Sequence, residues 1–140
     1  MFVVTEKPID PNALAARVSS PEAGAISLFV GVTRNFTGSE KVEYLIYEAY
    51  RSMAVRMMEK LARLTKERYP VEKIAIVHRI GKVAVGEASV AIAVSAAHRE
   101  GAIRGCHFAI DKLKEIVPIW KKEFFQNGRQ KWIANRQRFD

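Results

Sequence analysis

Two lysines, Lys114 and Lys121, are the residues of this 140-residue chain whose type and spacing point most directly to chemistry. They lie in KLKEIVPIWKKE, residues 112–123, on either side of Pro118. Lys114 follows Ile103, His107 and Ile110 at spacings of four, three and four. On a helix that puts it at the edge of an apolar stripe, not on the far wet face. Lys121 directly follows the apolar pair Ile119-Trp120. A lysine against apolar surface loses stabilisation of its charge, so its pKa falls and its amine can act as base or nucleophile. The same pattern also suits a lysine that packs its stem and keeps its ammonium in water.

Other cations stand where an anion could be held. The run Ala97-His98-Arg99-Glu100-Gly101 falls between the end of an apolar strand and the start of a helix. A helix N-terminus offers unpaired N–H groups and a field that favours anions, so His98 and Arg99 are candidates for a phosphate pocket. The same run also suits a solvated turn with an Arg–Glu pair. Arg34, in Gly31-Val-Thr-Arg34-Asn35, leaves the first long strand and can reach an anion from a loop fixed by that strand. It also reads as a surface arginine beside a turn. The net charge of +8 suits nucleic acid, a phosphorylated small molecule or an acidic partner, and does not choose among them.

Two further residues invite a role. Cys106 is the single cysteine, so no intrachain disulfide exists and a persulfide route is conceivable. It falls on a helix's apolar stripe without a flanking pair of cations, where a free Cys behaves as a small hydrophobe. His78 shares a strand face with Ile74, Ile76 and Ile80, which predicts a core histidine with a satisfied hydrogen bond. The three histidines, His78, His98 and His107, are too scattered to propose a metal site.

The elements that must position these groups follow from periodicity. Residues 11–18 form a short helix with Pro11 in its first turn. Ile26, Leu28, Val30 and Val32 alternate along a strand at 25–34. Residues 35–39 are a turn or loop, and 41–48 a second strand. A helix fits 50–68, with Met53, Met57, Leu61 and Leu64 as its apolar stripe and Pro70 as its stop. A strand at 72–80, a connection at 81–87 and a strand at 88–96, apolar on both faces and therefore central, come next. Ala102, Cys106, Ala109, Leu113 and Ile116 keep the helical period over 101–117, and Pro118 ends that helix. Asn127-Gly128 marks a hairpin before the strand-like KWIA. The expected class is α+β: one domain over residues 1–140, two main helices on a mainly antiparallel sheet, with a C-terminal hairpin.

Composition narrows the classes. Hydrophobic residues make up 49% and charged residues 27%, which is globular rather than disordered. No apolar run approaches the ~20 residues of a membrane helix. The start, MFVVTEKPIDPN, has acidic residues and prolines where a signal peptide needs a basic start and an apolar stretch, so a cytosolic protein is expected. Residues 41–117 read β-α-β-β-α with a basic balance, close to a ferredoxin-like nucleic-acid module. The strand at 88–96 has none of the exposed aromatics that single-strand binding uses, which argues against one. A persulfide sulfurtransferase working through Cys106 and a basic scaffold without catalysis also fit the composition.

Four blocks, GAISLFVGVTRN (24–35), VHRIG (77–81), SAAHRE (95–100) and DKLKEIVPIWKKE (111–123), resemble the large, catalytic subunit family of molybdopterin synthase in order and rough spacing. The likeness runs from about Gly24 to Trp132. It implies an α/β hammerhead-type fold and a homodimer at the centre of a heterotetramer. The implied partner is a ubiquitin-like small subunit whose C-terminal Gly-Gly carries a thiocarboxylate. The implied substrate is a cyclic pyranopterin monophosphate, precursor Z, which gains two dithiolene sulfurs to become molybdopterin, with no cofactor or metal. By motif, Lys114 and Lys121 match the catalytic lysines. Arg34, His98 and Arg99 match the pocket for the substrate's phosphate, which protomers of the dimer can share, and Arg136 is a further candidate for it.

Overall fold

The strand periods and helical stripes of the sequence become two sheets with helices on both sides of the first. The computed structural model describes residues 1–134. Its elements are β1 Phe2–Thr5, α1 Pro11–Arg17, β2 Ala25–Val32, β3 Phe36–Thr37, β4 Glu40–Ala49, α2 Arg51–Arg68, β5 Val71–Arg79, β6 Gly81–Ala84, β7 Ala88–Ala96, α3 Arg99–Ile116, β8 Ile119–Phe125 and β9 Gln130–Ala134. The first sheet has the order β1-β5-β7-β2, with β1 parallel to β5 and the other pairs antiparallel. The second has the order β3-β4-β8-β9, with β6 also paired to β4. The class is therefore α+β, as expected. No helix among the described residues is long and apolar enough to cross a membrane.

β7 is central because Ala, Val and Ile fill both of its faces. Val90, Ile92 and Val94 join the large core with α2 and α3, while Ala91 and Ala93 pack under Leu14 and Val18 of the α1 region. Asp10 caps α1 by accepting from the N–H groups of Asn12 and Ala13, and Pro11 takes the first turn. α3 lies close to the sheet because Gly101 and Gly105 carry no side chain there. A Cβ on Gly105 would sit 2.7 Å from Val71 Cγ2. Met58, Leu61 and Leu113 are fully enclosed, and truncating any of them to Ala would cost about 2–5 kcal/mol.

Several expectations need correction. The buried residues of α2 are Ala54, Met58, Leu61, Ala62 and Thr65; of the expected stripe Met53, Met57, Leu61 and Leu64, Leu61 is enclosed and Met57 packs partly against the core, but Met53 is exposed. The 81–87 connection contains β6, and the 35–39 loop contains β3; both pair with β4. Isolated two- to four-residue strands leave too short a pattern to read. β1, four residues long, escapes a reading by period for the same reason. α3 begins at Arg99, two residues before the expected start.

β2 is an edge strand with an unexpected orientation. Its alternating set is turned away from this chain's core: Ile26 is 46% exposed, Leu28 38% and Val32 57%. Ser27, Phe29 and Gly31 face inward instead, and Phe29 packs against the large core. Ile103 on α3, beside this edge, is 59% exposed.

Candidate functional site

β8 places Lys121 by strand alternation. Ile119, Lys121, Glu123 and Phe125 share the inner face, while Trp120, Lys122 and Phe124 take the outer one. The register sets Lys121 opposite Tyr47 of β4. Lys114 comes from the last turn of α3, where a cation suits the helix dipole. Val117 leaves the helix in an extended conformation and Pro118 forbids its continuation, so the chain turns straight into β8. The break that separates the lysines in sequence thus brings them to one cavity of about 120 Å³.

That cavity is lined by both lysines, His78, Tyr47, Ser89 and Phe29, among others. Gly31 also lines it, and a Cβ there would come within 2.7 Å of Val90 Cγ1, so the absence of a side chain preserves the space. Burial lowers the pKa of Lys121, and the charge of Arg34 lowers it further, while Glu123 acts in the opposite direction. Lys121 therefore gives up its proton more readily than a solvated lysine. Glu123 is itself buried and accepts a 2.7 Å hydrogen bond from Thr37 Oγ1. Tyr47 is held protonated, mainly by burial, and interacts with Ser89.

His78 is the core histidine the sequence predicts. Its Nδ1 lies 2.8 Å from the carbonyl of Arg79, and burial lowers its pKa from 6.5 to about 4. What the sequence does not reveal is that the same ring lines the lysine cavity and feels the charges of Lys114 and Lys121. Tyr47 and Glu123 are likewise invisible to spacing. The one signal for either is position: Glu123 is two residues from Lys121 on the same strand face.

The expected anion ligands divide. Arg34 is exposed, yet close enough to influence Lys121. Its loop is fixed from both sides of Thr33, whose N–H donates to Glu87 O at 3.1 Å and whose carbonyl accepts from Gly86 N–H at 2.9 Å. His98 and Arg99 are exposed at the other end of α3. His98 is the extended N-cap residue and makes no side-chain capping bond. Along the axis about 22 Å of helix separates Arg99 from Lys114, so one chain does not bring them together. Arg136 lies outside the described residues.

Cys106 is buried, its Sγ 3.9 Å from the Ile92 carbonyl, and burial pushes its thiol pKa up. That is the opposite of what a reactive thiolate needs. Among the described residues, no group of three or more His, Cys, Asp or Glu could hold a metal ion. A second groove, of about 450 Å³, runs between β2 and α3 and shares Phe29, Ile110 and Lys114 with the lysine cavity.

Comparison with known proteins gives a consistent picture. The family model described as "MoaE protein" matches residues 4–116. The molybdopterin synthase catalytic subunit of Bacillus subtilis is 42% identical over 135 residues, covering 96% of this chain and 85% of its own. The crystal structure of molybdopterin synthase from Staphylococcus aureus superposes with a TM-score of 0.90 at 38% identity, over 95% of this chain and 96% of that one. A Helicobacter pylori structure, described as the complex of subunits 1 and 2 of molybdopterin-converting factor, has a TM-score of 0.74 over 97% of this chain and 91% of that one. At 22% identity that last likeness is one of fold.

Proposed function

The chain belongs to the MoaE protein family, and on that premise we propose that it is the catalytic subunit of a molybdopterin synthase, a sulfur-transferring enzyme of molybdenum cofactor synthesis. The observation that carries this reading is the enclosed lysine pair. The substrate is cyclic pyranopterin monophosphate. Its two dithiolene sulfurs arrive on the C-terminal thiocarboxylate of a ubiquitin-like small subunit, whose tail enters the cavity. The relative from Helicobacter pylori is described as a complex of two subunits, in keeping with such a partner. The reaction takes place in the cytoplasm.

The thiocarboxylate sulfur attacks a side-chain carbon of the pterin and displaces the oxygen bound there; water then cleaves the acyl–sulfur bond, leaving the sulfur on the pterin and returning the carrier's C-terminus as a carboxylate. Lys114 and Lys121 polarise the acyl group, move protons and balance the developing negative charge. The lowered pKa of Lys121 suits it to the proton transfers. Arg34, His98 and Arg99, with Arg136, hold the phosphate, so that the intermediate with one sulfur stays bound while the spent carrier leaves.

The separation along α3 gives this assignment a geometric condition. Arg99 and Lys114 meet if two copies lay their α3 helices antiparallel about a two-fold axis. The axis must pass near the helix midpoint, by Ile103 and His107. That is where Ile103 stands exposed, sharing a groove with Leu28 of the open β2 edge, on which Ile26 is exposed too. Apolar residues turned outward along an unpaired edge suit a self-complementary interface. The homodimer we propose therefore completes each site with His98 and Arg99 of the second copy.

The test is to incubate the chain with precursor Z and a thiocarboxylated small subunit and to measure dithiolene product. Wild type and Cys106→Ser should both form it; Lys114→Ala and Lys121→Ala should bind the partner and lose at least about 100-fold in turnover. A folded, partner-bound wild type that makes no product would overturn the assignment.

A further inference from the structure

His78 is difficult to account for as filling. It sits on β5 in line with Ile74 and Ile76, in a position where a leucine or phenylalanine would pack without burying polar atoms. A buried polar ring is costly unless its atoms are bonded. The bond the backbone gives it uses Nδ1, which must carry the proton to donate to the Arg79 carbonyl at 2.8 Å. That bond fixes the tautomer and leaves Nε2 as the acceptor end of the ring. Tyr47 packs edge-on, its ring centroid 5.1 Å from that of the imidazole, and limits how the ring can turn.

The charged residues that line the cavity around this ring are the two lysines, and Glu123 is buried beside Lys121 as a counter-charge. Lys114 approaches from α3 and Lys121 from β8, and both line the same space as His78. β4 contributes Tyr47 and β7 contributes Ser89, neither of them a cation. Two ammonium groups in a small, partly dry space repel each other, and an acceptor that faces the same space offsets part of that cost. Burial keeps the imidazole uncharged down to about pH 4, so it adds no third positive charge.

We infer that His78 is a positioning residue for the lysine pair, its Nδ1 locked to the backbone so that Nε2 can accept a hydrogen bond from a lysine ammonium and hold that amine at the reacting end of the cavity. The inference rests on the reading of this cavity as the site of sulfur transfer. Its role differs from that of the lysines, since it acts on substrate only through them.

The first measurement needs no activity. In protein labelled with 15N-histidine, the Nε2 resonance of His78 should move toward that of an unbonded ring nitrogen when Lys114 and Lys121 are both replaced by Met. An Nε2 resonance that does not move would overturn the inference, whatever the activity. The second measurement is kinetic. His78→Asn keeps a donor for the Arg79 carbonyl and gives up Nε2. It should fold, keep a near-normal KM for the thiocarboxylated partner, and lose about tenfold in kcat, the worth of one hydrogen bond to a charged group. His78→Gln places an amide oxygen near the lost Nε2 and should recover part of that loss. A folded His78→Asn with wild-type kcat would also overturn the inference; if that variant does not fold, the resonance decides. Absence of product from wild type would count against the reaction and not against the positioning role, which the resonance reads separately.

Discussion

The two ends of α3 carry similar charges in opposite surroundings. At the N-terminal end, His98 and Arg99 stand in water. At the C-terminal end, Lys114 and, just across Pro118, Lys121 enter a cavity with His78 and Tyr47. In the second setting acid–base behaviour is altered, as the lowered pKa of Lys121 and that of His78 show. Residue type gives a cation at both ends, and burial makes Lys121 readier to give up a proton than a solvated lysine would be. In the proposed reaction one helix thus separates the cations that would hold the phosphate from the lysines by about 22 Å, and a second, antiparallel copy would join them again.

Exchanging the two kinds of cation should break this contrast most sharply. Lys121→Arg keeps the charge but cannot give up its proton. Turnover should fall by about 100-fold or more, as for removal of a proton-transferring group. Arg99→Lys should instead raise KM for the pterin only severalfold, because a surface anion anchor tolerates another cation. Steady-state kinetics of the two variants checks this; equal losses in kcat would erase the distinction between the ends.

Subunit mixing sharpens it next. Lys114→Ala and Arg99→Ala copies, each inactive or weak alone, should regain activity when dissociated and reassociated together. Random pairing leaves about a quarter of the sites intact if each site draws on both copies. No recovery would place all the ligands within one chain. Ile103→Asp should lower the dimer fraction seen in sedimentation and weaken the same recovery.

The smallest effect concerns stability. The folded-state pKa of His78, about 4, lies below its ordinary 6.5. The unfolded chain therefore takes up this proton first as pH falls. The stability from keeping the ring uncharged is complete above about pH 6.5 and is lost progressively toward pH 4. Between pH 7 and 4.5 wild type should lose about 2–3 kcal/mol more than His78→Asn in urea unfolding. Parallel curves for the two proteins would show that the ring protonates equally easily in both states.

The long elements are legible in the sequence because their patterns run for many residues. β7 can be placed at the centre from its unbroken small apolar run, and the end of α3 from Pro118. The lysines are legible for the same reason, since Ile103, His107, Ile110 and Lys114 form one helical line. The α2 stripe misleads in part, because Met53 is the larger apolar side chain yet stands exposed while Ala54 and Ala62 are buried. The β2 alternation marks a strand correctly, but nothing local says whether an apolar face meets this chain's own core or another surface.

The sequence alone is enough for the longer helices and strands, their α+β class and the placement of Lys114 and Lys121 on either side of the break at Pro118. These depend on neighbours within a few turns, where spacing and dihedral preference act. Only the tertiary structure decided that His78, Tyr47 and the two lysines share one cavity, that Glu123 is buried beside Lys121, and that His98 and Arg99 lie a helix length away. Those relations join residues far apart in the chain, and strand register and helix packing, not local spacing, set the distances between them.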